Sequence, residues 1–451
     1  MRRDSGENMV RKILSLLLLI GCLAGSAPLR AQQNATDNLI KRLQARVKRN
    51  PEDYEGYAGL GAAYLQQGRE TADAADYELA KGALEKSLDL LSNDPSAAFA
   101  MTQMAVVCMV EHRFEDALTW AQKAMALGSG DPSPWAIAGD ALADMGDYQG
   151  AFAAYSRLKS SYGSQDEKSA YLYQQDSRMS FLRFVAGDTQ NAIQLMRSAL
   201  RTAMETHMPT ENIAWSEYQL GEELFLIGET GAAEKAYLAS LDECPNYYRA
   251  LAGLAKTRAS QGRYVDAVKL YNQAIARVPY PEYAAALGDI YHKLGQVEDA
   301  KKQYELVEFI GYLSQVNQQI HNRDLALFYA DHDLKLHESL VLAQKELEVR
   351  RDIYTWDVLA WSLFKNDRVR EAAEAISQAL QQGTKDPQLF FHAGMIYERL
   401  GNSAKATSYL RHALDINPHF HVLYSDAASE TLARLVNKGV VVSQQEASGV
   451  H

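Results

Sequence analysis

The stretch Pro281–Tyr304, PEYAAALGDIYHKLGQVEDAKKQY, decides the architecture. Between Tyr283 and Leu294 the apolar residues Leu287, Ile290, Tyr291 and Leu294 recur at steps of three and four, which places them on one helical face. Gly295 follows the last periodic residue, where a glycine ordinarily stops a helix. Asp299, Ala300, Tyr304 and Val307 then carry the face of a second helix. Gly288 and Ala300 are small where the two helices must approach, and Tyr291 and Tyr304 fill the volume beside them. One such hairpin cannot bury its apolar face alone, so neighbours of the same kind must stack on it.

The same offsets return along the chain. The second-helix position held by Ala300 is taken in order by Ala80, Ala117, Ala151, Ala192, Ala233, Ala267, Ala300, Ser339, Ala372 and Ala406, at intervals of 37, 34, 41, 41, 34, 33, 39, 33 and 34. The two intervals of 41 exceed the period of 34 by seven residues, two helical turns or about 10.5 Å of helix. Longer helices or loops around 159–175 and 202–213 are therefore added without rotating the packed face. Ten hairpins over residues 52–419 account for this spacing.

Tyr57, Leu60, Gly61 and Tyr64 open the first unit; Leu220, Gly221, Leu224, Gly228, Ala233, Tyr237 and Pro245 mark the fifth. Phe390, Gly394, Tyr397, Gly401, Ala406, Leu410, Ala413 and Pro418 mark the tenth, while the eighth is degenerate, with Ser339 and Arg351 at signature positions. These residues resemble the tetratricopeptide-repeat (TPR) signature, W-x2-L-G-x2-Y, then A-x3-F, A and P on a period of 34. His392–Ile396 followed by Asn417 and Pro418 is similar to exported bacterial members without a defined activity. The resemblance implies an all-α fold, a right-handed α-solenoid of about ten TPR hairpins. Its first helices would line a concave groove that holds other proteins, and it implies no catalysis.

The ends read differently. Residues 1–31 resemble a signal peptide, because Arg2, Arg3, Arg11 and Lys12 precede an apolar run, Ile13–Leu23, too short to span a bilayer comfortably. Leu29, Arg30 and Ala31 before Gln32 suit ordinary cleavage and a periplasmic product. Leu19, Ile20, Gly21 and Cys22 resemble a lipobox, which would leave a membrane-anchored lipoprotein modified at Cys22. Residues 34–51 form an amphipathic capping helix with Leu39, Leu43 and Val47 on its apolar face; residues 420–437 form a C-terminal capping helix. The tail, 438–451, is expected to be poorly ordered.

The net charge of −11 becomes −14 if residues 1–31 are removed, and an acidic solenoid repels phosphate backbones, which excludes nucleic acid as the main partner class. Cys108 and Cys244 lie far apart in the repeat order and are expected to be buried thiols. No HExxH, GxSxG, CxxC or P-loop sequence occurs, and ten repeats leave no block for a catalytic domain, so no enzyme, cofactor or catalytic residue is expected. His321, Asp324, Asp331, His332, Asp333 and His337 have the donor chemistry of a metal-dependent sensor, with His292 one repeat earlier, but successive residues on a helix diverge by about 100°. A polar cap on the degenerate repeat is the plainer explanation.

The groove remains. If each repeat follows the family, the concave positions hold Phe181, Phe184, Trp215, Tyr218, Phe225, Phe328, Tyr354, Trp361, Phe364 and Phe391, with Asp140, Lys256, Asp289, His292 and Lys293 among them. Aromatic anchors flanked by charge suit protein or peptide segments. The competing reading makes these rings inter-repeat core.

Overall fold

The computed structural model describes residues 27–71, 73–91, 94–128, 130–158, 165–316 and 322–448. Cys22, the apolar run Ile13–Leu23 and His321 lie outside them. The described residues form 22 α-helices and no strand. A first capping helix, α1 (Ala27–Arg49), precedes ten hairpins: α2/α3 (Tyr54–Thr71, Ala74–Leu91), α4/α5 (Ala98–Val110, Phe114–Ala126), α6/α7 (Ser133–Asp144, Tyr148–Arg157), α8/α9 (Gln165–Val185, Thr189–Glu205) and α10/α11 (Thr210–Leu226, Thr230–Glu243) are the first five. The second five are α12/α13 (Tyr248–Ser260, Tyr264–Arg277), α14/α15 (Pro281–Lys293, Val297–Val316), α16/α17 (Asn322–Asp331, Leu336–Val349), α18/α19 (Ile353–Lys365, Val369–Ala379) and α20/α21 (Pro387–Arg399, Ser403–Ile416). The closing helix α22 spans Tyr424–Ser448 and so continues past residue 437, where the sequence pattern ends its apolar face. Among the described residues no helix is long and apolar enough to cross a membrane.

The second to tenth hairpins close in the same way. In α14/α15 the Gly295 amide donates to the His292 carbonyl and the Gln296 amide to the Tyr291 carbonyl, a Schellman pair around a residue at φ +72°. His112, Asp333 and Asp367 take this left-handed position without being glycine. Inside the hairpin, Tyr304 fills the place a side chain on Gly288 would occupy: a Cβ there would lie 2.3 Å from its ring. Tyr155 and Tyr237 do the same over Gly139 and Gly221. The extra residues of the fourth and fifth repeats are taken up as helix, since α8 has 21 residues and α9 and α10 have 17 each.

Consecutive helices pack along the whole chain, and most first helices also touch the first helix of the next repeat. Second helices stand further apart, which bends the array with first helices inside. The bend is tight enough that the coil rests on itself. The Arg351 amide donates to the Asp144 carbonyl at 2.9 Å, the Ile353 amide donates to the Tyr148 hydroxyl 205 residues away, and the Asn417 amide side chain donates to the Phe225 carbonyl at 2.7 Å. The hairpin turns at Gly146, Gly187 and Gly228 thus sit on the loops that begin the ninth repeat, begin the tenth and end it. A Cβ on these glycines would lie 2.5, 2.1 and 2.6 Å from the carbonyl oxygens of Arg351, Gly383 and Ile416. Val185 adds an apolar contact to the same seam, within the cluster built by repeats seven to ten.

The caps depart slightly from the sequence reading. On α1 it is Ile40, with Leu43 and Val47, that joins the core of the first repeat, whereas Leu39 is exposed. The four-residue steps of Leu39, Leu43 and Val47 drift off one face, because a helical turn holds 3.6 residues. At the other end Ala427, Ala428, Leu432 and Leu435 cover the tenth repeat. Cys108 and Cys244 are free and buried, and burial pushes their thiols up to about 11 and about 12.

Candidate functional site

The inner face of the first coil turn encloses a cavity of about 930 Å³, walled by first helices α2, α4, α6, α8 and α10 and touched by Tyr354 of α18. Five of the ten aromatic residues expected in the groove are brought together here: Phe181, Phe184, Trp215, Tyr218 and Tyr354. Phe181 is the most open of them, at 38% exposure, and Phe184 is buried in the wall. Gln103, Gln174 and Gln219, one each on α4, α8 and α10, line the same cavity.

The other five expected residues lie elsewhere. Phe225, Phe328, Trp361 and Phe391 are buried as core, each 2–3% exposed. Trp361 is stacked between Phe364 and His392, at ring separations of 4.9 and 4.2 Å, and its indole N–H donates to Asp331 at 2.7 Å. Tyr424 of the closing helix stacks on Phe391 at 4.7 Å. Phe225 carries the Lys256 ammonium 4.7 Å from its ring centre, and Phe328 lies between Tyr304 and His332. The groove assignment of Phe225, Phe328, Trp361 and Phe391 is therefore corrected, and Phe364 is half-buried against Trp361. Phe225 and Phe328 are covered by neighbouring repeats, whereas Trp361 and Phe391 are covered by the loop after Pro418 and by α22, which fold back over the inner side.

The expected groove charges are mostly engaged by the solenoid itself. In the third, fifth and seventh repeats an acid directly after the signature glycine accepts a bond from a tyrosine hydroxyl 15 residues later. The pairs are Asp140 with Tyr155 at 2.9 Å, Glu222 with Tyr237 at 2.6 Å and Asp289 with Tyr304 at 2.9 Å. A base on the next first helix then clamps the acid. Arg178 donates to both oxygens of Asp140 at 2.8 and 2.9 Å, Lys256 to Glu222 at 2.6 Å, and His332 to Asp289 at 2.7 Å. Charge-assisted bonds of this kind are each worth about 1.5–3 kcal/mol. The sequence signal G-[DE]-x14-Y was present, but a groove template alone does not find it. Lys293 pairs with Asp426 of the closing helix, and His292 is exposed.

Around Asp289 two histidines are held in opposite states. His332 donates from Nδ1 to the Phe328 carbonyl at 2.8 Å and from Nε2 to Asp289, so both ring nitrogens carry protons. Burial opposes its charge, yet the bond and charge of Asp289 outweigh it and raise the imidazole above its ordinary range. His421, 3.7 Å from the same carboxylate, accepts at Nδ1 from the Leu423 and Tyr424 amides and is lowered by burial.

The His/Asp stretch of the eighth repeat does not converge. His332 points to Asp289, Asp331 to Trp361, and Asp333, at the hairpin turn, pairs with Lys365. Among the described residues no group of three His, Cys, Asp or Glu side chains is placed to hold a metal ion.

Within the cavity wall Glu223 is distinct. It is 8% exposed, one oxygen lies 2.6 Å from the Ser180 hydroxyl, whose proton is shared with the Ala192 carbonyl at 2.7 Å, and the other faces no donor among the described residues. Burial pushes its carboxyl up to about 7.

A tetratricopeptide-repeat family model matches residues 218–280, 253–308 and 358–419. No curated protein matches the chain. Similar solved structures include the crystal structure of the APC/C hetero-tetramer Cut9-Hcn1, at 14% identity over 90% of this chain and 94% of that one, with a TM-score of 0.33. Yeast Tom70 is 11% identical over 86% of this chain and 96% of its own, with a TM-score of 0.33, and MamA is 21% identical over 39% and 96%, with a TM-score of 0.31. Residues 218–308 and 358–419 thus match tetratricopeptide repeats, and the helical hairpin they form recurs ten times among the described residues.

Proposed function

We propose that this chain is an exported, non-enzymatic scaffold that holds segments of partner proteins inside its first coil turn. Tetratricopeptide repeats generally mediate protein–protein contact, which supports a scaffold over an enzyme. The observation that carries the reading is the cavity walled by Phe181, Trp215, Tyr218 and Tyr354, with side-chain amides in the same wall. A few large rings at the centre of an interface supply most of its energy, and amides satisfy the polar groups of a bound chain. Export rests on the basic start and short apolar run of residues 1–31, and the cell envelope is the compartment it implies.

The test is recovery of partners from an envelope extract by full-length protein and by a Trp215→Ala plus Tyr218→Ala variant. Loss of specific partners from the variant, with its helical content retained at the temperature of the assay, is the expected result. Equal recovery would overturn the groove assignment. Cell fractionation of the full-length chain and of Cys22→Ser separates a soluble periplasmic product from a lipid-anchored one.

A further inference from the structure

We infer that Glu223 floors a cation-binding recess in the first-turn cavity, which takes the ammonium or guanidinium group of a lysine or arginine carried by an extended segment of the bound partner. The inference rests on the cavity being the partner-binding site. It begins from a carboxylate that the fold leaves incomplete: Glu223 lines the cavity, is nine-tenths buried, and has one oxygen on Ser180 and the other without a donor. An ionised carboxylate in that position is costly until a cation reaches it.

Two of the other three acids of the wall already have partners. Asp140 holds Arg178 and Glu222 holds Lys256, while Glu211 is only half-buried and stands within the fields of Arg69 and Arg249. Glu223 is thus the buried acid of the wall with an oxygen that faces no donor among the described residues. Its surroundings favour a cation on an aliphatic stem over a bare ion. Aromatic faces attract ammonium and guanidinium groups and cover the methylenes behind them, and Phe184, Trp215 and Tyr218 share this wall. With no group of three metal-ligating side chains among the described residues, a metal ion has no comparable seat. The net charge of −11 draws basic segments toward the protein.

The amides set the conformation of the segment. Gln103, Gln174 and Gln219 line the cavity, and their side chains have no hydrogen-bond partner among the described residues. They stand on the first helices of the second, fourth and fifth repeats, as separate rungs along the wall. An extended segment brings unpaired backbone N–H and C=O groups to such rungs. A helix has already satisfied its own.

The experiment uses immobilised full-length protein and a defined pool of acetylated, amidated twelve-residue peptides, randomised at every position and read by sequencing. For wild type we expect lysine and arginine to be enriched about tenfold at one position, the gain of a single charge-assisted contact. Glu223→Gln keeps the shape and the Ser180 partner, and it should erase that preference while aromatic and aliphatic preferences elsewhere persist. Ser180→Ala should leave the basic preference in place, which separates the recess from its support. Peptides bound by wild type with no basic preference, or with one that survives Glu223→Gln, would overturn the recess and leave the groove standing. No peptide bound at any position would overturn both.

Discussion

Replacing Gly187 by alanine tests whether the coil truly rests on itself, provided it is compared with Gly295→Ala. The two glycines share a backbone conformation, φ +74° and +72°, and each closes a hairpin by the same Schellman pair. Forcing an L residue into that region costs about 1–2 kcal/mol in either place. Their surroundings differ: a Cβ at 295 meets nothing within 4 Å, whereas at 187 it would lie 2.1 Å from the Gly383 carbonyl oxygen. Reaching an ordinary contact of 3.4 Å requires the two turns to part by about 1.3 Å, and overpacking of this kind adds roughly 1–3 kcal/mol. We expect Gly187→Ala to lose about 2–5 kcal/mol in urea unfolding and Gly295→Ala about 1–2 kcal/mol. Solution scattering should show a larger radius of gyration for Gly187→Ala alone. Equal losses for the two variants, with identical scattering, would refute the self-contact.

Three further outcomes follow from the packing. Trp361→Ala should cost about 3–5 kcal/mol as a cavity in the core, while Phe181→Ala, at a partly open ring, costs far less; thermal melts compare them. Glu217 is buried and its carboxyl is pushed up to about 7, first by burial and then by Glu243, so the native state holds a proton that the unfolded chain releases near 4.5. Its contribution is intact below that range and is lost as pH rises to about 7, so Glu217→Gln should gain up to about 3 kcal/mol at pH 8 and little at pH 4.5 in denaturation curves. Nuclear magnetic resonance titration should find His332 above and His421 below the ordinary imidazole range. The support His332 lends through Asp289 is then full in acid and fades as pH climbs through its raised midpoint.

The hairpins were legible because each carries its own evidence within one period. Gly288 and Tyr304 announce their contact from sixteen residues apart, and the chain of alanines from Ala80 to Ala406 sets the unit count. Half the groove was legible for the same reason: Phe181, Trp215 and Tyr218 occupy inner positions that stay inner. Trp361 and Phe391 occupy equivalent positions, but the return of α22 covers them, and nothing local to the ninth repeat encodes that return. The seam between turns was invisible for a related reason. It depends on small rotations added over several repeats, and it joins residues such as Phe225 and Asn417, 192 positions apart. The spare oxygen of Glu223 emerges only once Ser180 and the paired acids around it are placed.

The seam also changes how such a chain acquires its shape. An open array of repeats is built almost wholly from neighbours in sequence, so it has low contact order and can zip up from any nucleus. Bonds such as Ile353 to Tyr148 require a loop of 205 residues to close, and the entropy of that closure is recovered only after both turns exist. The coil therefore locks late in folding, when its end repeats are already formed, and those long-range staples bind distant modules into one cooperative transition.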